Sequence, residues 1–491
     1  MTNLAELINA NEFPAALDAI DEALALDPDC DEALYYFAVM MLESEHPGPA
    51  RVVLERLAQK NQKSIAAWLG LGRAWDELER PDKAHAAIMR GYRLDKDNPK
   101  AITALSSVAA HRHKWDDCIR WAGMALDREE SLQAKINKAF GLLCRGRYAE
   151  GWDLYSEGVG HMKWRDRRQY LELPHWDGEA DARVIWYAEQ GIGDQIAFMS
   201  ALPGAPVTTA AINCGPKLRN LFADSFPDCR VFGDQFVDAP AWVEEVDATH
   251  MAPMSYLHRE YRRSAQAYTG EPFLRANHEK FVMWRALLAE LPDKPKIGIA
   301  WTGGSKGSFA WRAKSLELAD FLPLFRGLDA NWIDLEYKDR MVDVQAFRDT
   351  HGIDMKTWPW GPQSLDYGDA AALVANLDAV VCVPTAIYHL AGGLGVPAYV
   401  LVQKHAHFHE HGESEACRYY GSVKFIRRDA MGMDAAFARI LDGLGGRTDE
   451  VSDRDPGRSG ASRNEVSGNA VRADRSKRGN GALSEHTVSG R

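Results

Sequence analysis

The sequence predicts an α-helical repeat solenoid followed by an α/β region with two parallel sheets. Three observations predict it. An alanine recurs at Ala33, Ala67, Ala101 and Ala134; after residue 182 the chain changes to short β-rich runs separated by helix-length stretches; and two glycine-rich segments about 190 residues apart each lie between an apolar run and a helical pattern.

The first element is the solenoid, residues 1–160. The alanine spacings of 34, 34 and 33 are each followed by a helical pattern, and such a period means stacked helix pairs. In the second unit Trp68, Leu71, Gly72, Trp75 and Ala84 fit the tetratricopeptide spacing W-x2-L-G-x2-aromatic…A. Phe13, Trp115 and Tyr148 hold the same aromatic position in the first, third and fourth units, with Ala16 the small residue between helices in the first. About four and a half repeats fit the segment. Each unit alone leaves an apolar face bare, so stacking makes the core and also a concave face of the kind that binds a protein or peptide.

Residues 161–182 carry too many turn and charged residues to extend the helices and read as a junction. Beyond it Val184–Ala188, Ala210–Asn213 and Cys229–Phe232 read as strands of a first lobe, 183–293. After the break at Leu291-Pro-Asp-Lys-Pro295, the runs Lys296–Trp301, Trp332–Leu335, Ala379–Val383 and Ala398–Val402 alternate with helices and read as a second lobe, 294–446. The last stretch, 447–491, has no aromatic residue and is rich in Ser, Gly, Arg and Asp, a composition expected to remain disordered.

Composition narrows the function. The net charge is −12, and because 447–491 holds nine basic against seven acidic residues, the remainder carries −14, which argues against nucleic acid as the main partner. No run of 18 apolar residues occurs and the start of the chain has no charged and apolar leader pattern, so the expectation is a cytoplasmic protein without stable membrane insertion. Seven cysteines with no Cys-x-x-Cys pair indicate reduced thiols rather than a disulfide or zinc framework.

The chemistry is expected at the glycine-rich segments. A strand that ends in glycine and turns into a helix sets backbone N–H groups and the positive helix end at the edge of a sheet, where anions bind. In Gln190-Gly191-Ile-Gly193-Asp194 the glycines would allow a tight turn, and Asp194 would fall in the first helical turn, where a carboxylate can deprotonate a hydroxyl or merely complement the helix dipole, which weakens it as a base. Gly303-Gly-Ser-Lys-Gly307 has the look of a phosphate cradle but lacks the Gly-Lys-Ser/Thr ending of a nucleotide-binding P-loop. His405, His407, His409 and His411 alternate after a strand and would share one face if extended; a zinc or nickel site is one reading, and polar cleft lining is the preferred one. Trp358 and Trp360 would stack on a base or pack their own loop.

Three strings carry a resemblance: Glu189-Gln-Gly-Ile-Gly-Asp-Gln-Ile196, Ile299-Ala-Trp-Thr-Gly303 with Lys314-Ser-Leu-Glu-Leu318, and Pro384-Thr-Ala-Ile-Tyr-His-Leu-Ala-Gly-Gly-Leu-Gly395. With the preceding repeats they resemble bacterial tetratricopeptide glycosyltransferases, whose C-terminal part is similar to the heptosyltransferase family, glycosyltransferase family 9. The likeness covers about residues 1–445, and Arg418–Arg427 is similar to the segment that closes such domains. It implies a GT-B architecture of two Rossmann-like lobes facing a cleft, acceptor on the first and nucleotide-sugar on the second, with no metal and no cofactor.

The resemblance also implies roles. Asp194 would be the catalytic base, with Gln190, Gly191 and Gly193 forming the acceptor-side loop; Thr385, Ala386 and His389, with Lys314 or Arg312, would hold the donor phosphates. His389 also has a plain packing reading. Pro384 departs from the family, which carries Asp before the Thr; proline has neither that carboxylate nor an N–H, which puts donor choice and activity in doubt. The expected function is transfer of a sugar from a nucleotide-sugar to a hydroxyl of a protein held by the repeats, such as flagellin or another surface protein. The alternatives are a non-catalytic scaffold on a degenerate fold and a heptosyltransferase-like enzyme acting on a glycolipid.

Overall fold

The computed structural model describes residues 4–10, 12–162, 165, 167–170, 172–238, 240–304, 314–403, 408–410 and 414–446. Arg312, His405, His407, His411 and the tail 447–491 lie outside the described residues.

The N-terminal part is five antiparallel helix pairs: α1 (Leu4–Asn9) with α2 (Phe13–Leu26), α3 (Asp31–Glu43) with α4 (Pro47–Lys60), α5 (Ile65–Glu77) with α6 (Pro81–Leu94), α7 (Pro99–His111) with α8 (Trp115–Leu126), and α9 (Leu132–Cys144) with α10 (Tyr148–Ser156). The local cause of the repeat is visible at the entries into α5, α7 and α9, whereas Cys30 before α3 makes no side-chain cap. Ser64, Asn98 and Ser131 cap α5, α7 and α9 by accepting the N–H of Ala67, Ala101 and Ala134, so the recurring alanine is the third residue of its helix. All four alanines are buried, and a side chain larger than a methyl would hold the neighbouring helices apart. The turn inside the second to fifth pairs is set by a left-handed residue, Glu45, Glu79, His113 and Gly146 in succession. These are the features of a tetratricopeptide-type array.

One assignment needs correction. Phe13 and Ala16 lie in α2, ahead of the pair that holds Ala33, so they belong to an additional N-terminal pair. Phe13, Trp115 and Tyr148 each open the second helix of a pair, the place taken by Pro47 and Pro81 elsewhere, whereas Trp75 sits near the end of a first helix. Proline fits there because an N-terminal helix residue has no N–H partner to lose.

The first sheet has the order β3-β2-β1-β4, all parallel, from β1 (Arg183–Tyr187), β2 (Thr208–Asn213), β3 (Val231–Phe232) and β4 (His250–Pro253). β4 was not anticipated. The junction is built onto it: Trp176 donates its backbone N–H to the Met251 carbonyl, Met251 donates back to Pro174, and the Trp176 ring is buried against Trp186.

The second sheet has the order β10-β9-β8-β5-β6-β7, again all parallel, from β5 (Lys296–Ala300), β6 (Asn331–Asp334), β7 (Met355–Lys356), β8 (Ala379–Cys382), β9 (Ala398–Val402) and β10 (Val423–Arg427). Its central strands are buried on both faces, hence their unbroken apolar sequence. Strand order reverses between β5 and β8, and crevices of doubly wound sheets open at the carboxyl ends of the strands flanking such a switch. Those ends are Trp301-Thr302-Gly303 and Val383-Pro384-Thr385.

Array and sheets share one core. Trp152 of α10 is buried with its ring edge-on to Tyr155, Phe198 and His258. Among the described residues no helix is long and apolar enough to cross a membrane, and the seven cysteines form no disulfide.

Candidate functional site

From β1 the chain runs through Ala188-Glu189-Gln190-Gly191 into helix α11 (Ile192–Met199). The loop is pinned from three sides. The Gln190 carbonyl accepts from Gln195 Nε2 at 2.8 Å and from Gln235 Nε2 at 3.1 Å, and its side-chain Oε1 accepts from the Tyr155 hydroxyl at 2.9 Å, which ties it to the array. Beside it the Glu189 carboxylate, 4% exposed, pairs with the fully buried Arg165 at 3.3 Å; that guanidinium also bonds Ser255 Oγ at 3.0 Å and lies over the Tyr155 ring.

The glycines of this loop do not serve the turn. Gly191 has φ −69°, and neither it nor Gly193 is among the positive-φ residues. Gly193 is needed for a close approach: a Cβ there would meet His389 Cδ2 at 3.0 Å and Ala386 Cα at 3.6 Å. The two glycine-rich segments therefore pack directly on each other, α11 against the Ala386–Leu394 helix. Gly303 serves the same end inside the second lobe, since a Cβ on it would lie 2.5 Å from the Pro384 carbonyl oxygen.

Asp194 sits in the first turn of α11, its side chain about one third exposed. Oδ1 is 2.9 Å from His409 Nε2, and His409 Nδ1 is 3.2 Å from the Tyr419 hydroxyl. His409 lies in the 3-10 turn Phe408–Glu410, so the extended conformation that would align four histidines is absent at this residue. This turn packs against α9 of the array.

Across from α11, Thr385 is the N-cap of the Ala386–Leu394 helix and makes no side-chain capping bond. The first amides of a helix have no partner within it and point outward with the positive helix end. Lys314 stands next to Gly303 and near enough to His389 for its charge to act there; among the described residues it forms no ion pair. His389 is buried, with Nδ1 3.0 Å from the Tyr420 hydroxyl. Burial holds its imidazole well below the ordinary histidine value, and the neighbouring His409 and Lys314 push the same way. A neutral ring wedged between two helices offers no cation to a phosphate, and its visible work is packing. Gly392 and Gly393 make room on the same helix for Tyr420 and Leu274.

Sequence reasoning missed a carboxylate pair at the end of β6, Asp334 on the strand and Glu336 just past it. Glu336 accepts the N–H groups of Trp301 and Thr302 at 2.7 and 2.6 Å and the Thr302 hydroxyl, fixing the loop after β5. Asp334 accepts from Glu336 N at 2.8 Å, and burial pushes its carboxyl up to about 7. Two carboxylates at the end of an apolar strand were the available signal. Trp358 and Trp360 pack around Trp284, Trp360 stacking on it at 4.2 Å with half of its own surface exposed. Among the described residues no group of three or more His, Cys, Asp or Glu is placed to hold a metal ion.

In the array a hollow of about 400 Å³ opens along the first helices, lined by Arg73 and Asp76 of α5, Lys100, Thr103 and Ser107 of α7, and Gln133 of α9. Asn137 of α9 donates to Ser106 and Ser107 at 2.8 Å beside it.

No family model matches the chain. Over 403 residues it is 25% identical to Protein FlbA of Caulobacter vibrioides, a likeness that covers 76% of this chain and 66% of that protein, just under two thirds of the relative's length. Among solved structures it is similar to a thermophilic TPR protein of Thermus thermophilus (19% identity, 32% of this chain and 88% of the other, TM-score 0.30). It is also similar to MamA (18%, 32% and 92%, TM-score 0.27) and to YrrB, a TPR protein with an unusual peptide-binding site (18%, 32% and 84%, TM-score 0.26).

Proposed function

We propose that this chain is a GT-B glycosyltransferase that moves a sugar from a nucleotide-sugar donor to a hydroxyl of a protein acceptor held in the array. The observation that supports it most is the direct packing of the two glycine-rich strand-to-helix turns. That packing supports a common site in which Asp194, in the first turn of α11, works with Thr385 at the start of the Ala386–Leu394 helix and with Lys314 beside Gly303. In this reading Asp194 takes the acceptor proton while the amides at Thr385–Ala386 and the Lys314 ammonium stabilise the diphosphate that leaves. His389 supports the site by packing. The acceptor reaches the site from the groove along α5, α7 and α9, whose last helix touches the turn that carries His409. A surface protein such as flagellin is the acceptor class in this proposal.

The test is transfer by the full chain from a panel of UDP-, GDP-, ADP-, TDP- and CMP-sugars, followed by mass spectrometry of proteins co-purified on the array. Sugar-modified acceptor with wild type and none with Asp194→Asn is the expected result.

One observation favours a second reading, a non-catalytic scaffold. Pro384 stands where the resembling family carries an aspartate, and its carbonyl is packed against Gly303. Under that reading Asp194→Asn leaves the cellular function intact.

A further inference from the structure

We propose that His409 is the positioning residue of Asp194: it holds one carboxylate oxygen so that the other faces the acceptor hydroxyl. This rests on the transferase reading above and adds to it a residue drawn from the opposite lobe.

The two oxygens of Asp194 are unequal. Oδ1 is held by His409 Nε2 at 2.9 Å, on a ring whose side chain is 6% exposed. Oδ2 lies beside Gly191, where an added Cβ would meet it at 3.4 Å, and has no partner among the described residues. The Asp194 side chain as a whole is 32% exposed, so the carboxylate is held on one side and still reachable from solvent.

A carboxylate only accepts hydrogen bonds, so Nε2 carries the hydrogen of this contact. In a neutral ring Nδ1 is then the acceptor, and it takes the Tyr419 hydroxyl at 3.2 Å. Tyr419 is buried, and burial among neighbouring tyrosines keeps its phenol protonated and able to donate. Packing against Phe198, His389 and Tyr419 fixes the plane of the ring. In the serine protease triad a carboxylate orients an imidazole that does the chemistry; here the imidazole orients the carboxylate.

In the transfer step the acceptor O–H bond breaks and its proton goes to Asp194 Oδ2. The acceptor oxygen bonds to the anomeric carbon, and the bond from that carbon to the diphosphate oxygen breaks with its electron pair leaving on the nucleotide. His409 keeps its Nε2 hydrogen throughout.

The experiment compares full-length wild type, Asp194→Asn, His409→Ala and His409→Gln for nucleotide release from the same panel of UDP-, GDP-, ADP-, TDP- and CMP-sugars in the presence of the protein acceptor co-purified on the array, with melting temperatures alongside. His409→Ala is expected to lower kcat by about 100-fold, the scale of a misplaced reacting group, with donor KM within about twofold of wild type. His409→Gln, whose amide N–H replaces the donor, should recover most of that loss. Wild-type-like kcat in His409→Ala, or no recovery in a stably folded His409→Gln, overturns the proposal while leaving the transferase reading intact. Turnover surviving in Asp194→Asn, or absent from wild type with every donor, overturns the transferase reading and this proposal with it. Imidazole ¹⁵N spectra give a readout free of turnover: the His409 signals should show the Nε2–H tautomer and shift in Asp194→Asn. The opposite tautomer overturns the assignment.

Discussion

Trp152, in the last helix of the array, donates its indole N–H to the hydroxyl of Tyr268 at 3.0 Å, and His258 stands edge-on to the same indole. The array is thus not tethered to the α/β region but continuous with its core, which runs from Trp115 through Trp152 to Phe198 and Tyr419. Trp152→Ala is expected to destabilise the protein by about 3–5 kcal/mol, the range for deleting a buried large aromatic. Trp152→Phe, which keeps most of the packing but removes the donor, should cost about 1–2 kcal/mol. Urea denaturation followed by circular dichroism reads both. A change in Trp152→Ala confined to the array signal, with the α/β transition unmoved, would contradict a shared core.

The buried Arg165–Glu189 pair links the junction to the loop before α11. Glu189→Gln takes a buried carboxylate away from the enclosed Arg165 guanidinium, and the expected loss is about 3–5 kcal/mol. The double change Arg165→Met with Glu189→Leu should restore most of the stability, because it removes both desolvated charges. It should not restore turnover, since Gln190 and Asp194 lose the anchor next to them. Equal destabilisation in the single and double variants would show that the pair's hydrogen bonds to Ser255 and Tyr155, not its charges, hold the junction.

Asp334 makes stability depend on pH. Its carboxyl holds the proton up to about pH 7 in the folded chain because it is buried, against an ordinary value near 3.8. Between these values the folded form binds more protons than the unfolded one, so stability is fully present below about pH 4 and falls as pH rises through 7. A shift of that size corresponds to a loss on the order of 2–4 kcal/mol. Asp334→Asn should flatten this window, matching wild type near pH 4 and exceeding it at pH 8, in melting curves taken across the range. Burial also pushes Glu336 upward, so a residual slope of the same sign belongs to that residue.

Much of the fold was legible because its signals are local. The 34-residue period reports a capped helix start with a buried alanine, and the long central strands report themselves by unbroken apolar sequence. The two-residue strands β3 and β7 and the mixed His250–Pro253 strand carry no such signal and exist because a neighbouring strand offers its edge; β4 and β7 went unread, as did β10. At the site, Asp194 could be singled out from its place after a strand. His409, 215 residues away, could not be matched with it, because what joins them is the docking of two lobes. Gly191-x-Gly193 was noticed for the wrong physical reason, as a turn rather than as a helix contact.

That reassignment can be tested by two substitutions of the same kind. Gly193→Ala would put a methyl 3.0 Å from the ring of His389, which is buried and held by Tyr420 and cannot retreat. The expected cost is about 1–3 kcal/mol, typical of overpacking. Gly191→Ala meets only Asp194 Oδ2 at 3.4 Å, at a backbone conformation that alanine adopts freely, and should leave stability within about 0.5 kcal/mol of wild type. Were the glycines required for the turn, the order of the two effects would be reversed.

Donor binding should separate Lys314 and Thr385 from His389. The first two are partly exposed, Lys314 beside Gly303 and Thr385 at the start of the Ala386–Leu394 helix, whereas His389 is 5% exposed and burial holds its imidazole well below the ordinary value. A nucleotide at about 100 times its Kd stabilises the folded form by roughly 2.7 kcal/mol, readily seen as a rise in melting temperature. Loss of one charged phosphate contact is worth about 1.5–3 kcal/mol, so Lys314→Ala should raise the Kd of the preferred nucleotide by about 10- to 100-fold; Thr385→Ala, which removes a neutral hydroxyl, should raise it about fivefold. His389→Gln should lower the melting temperature of the free protein and leave the nucleotide-induced increment nearly unchanged. If His389→Gln instead abolishes the increment in a stably folded protein, the buried imidazole reaches the phosphates after all, and the packing role assigned to it here is wrong.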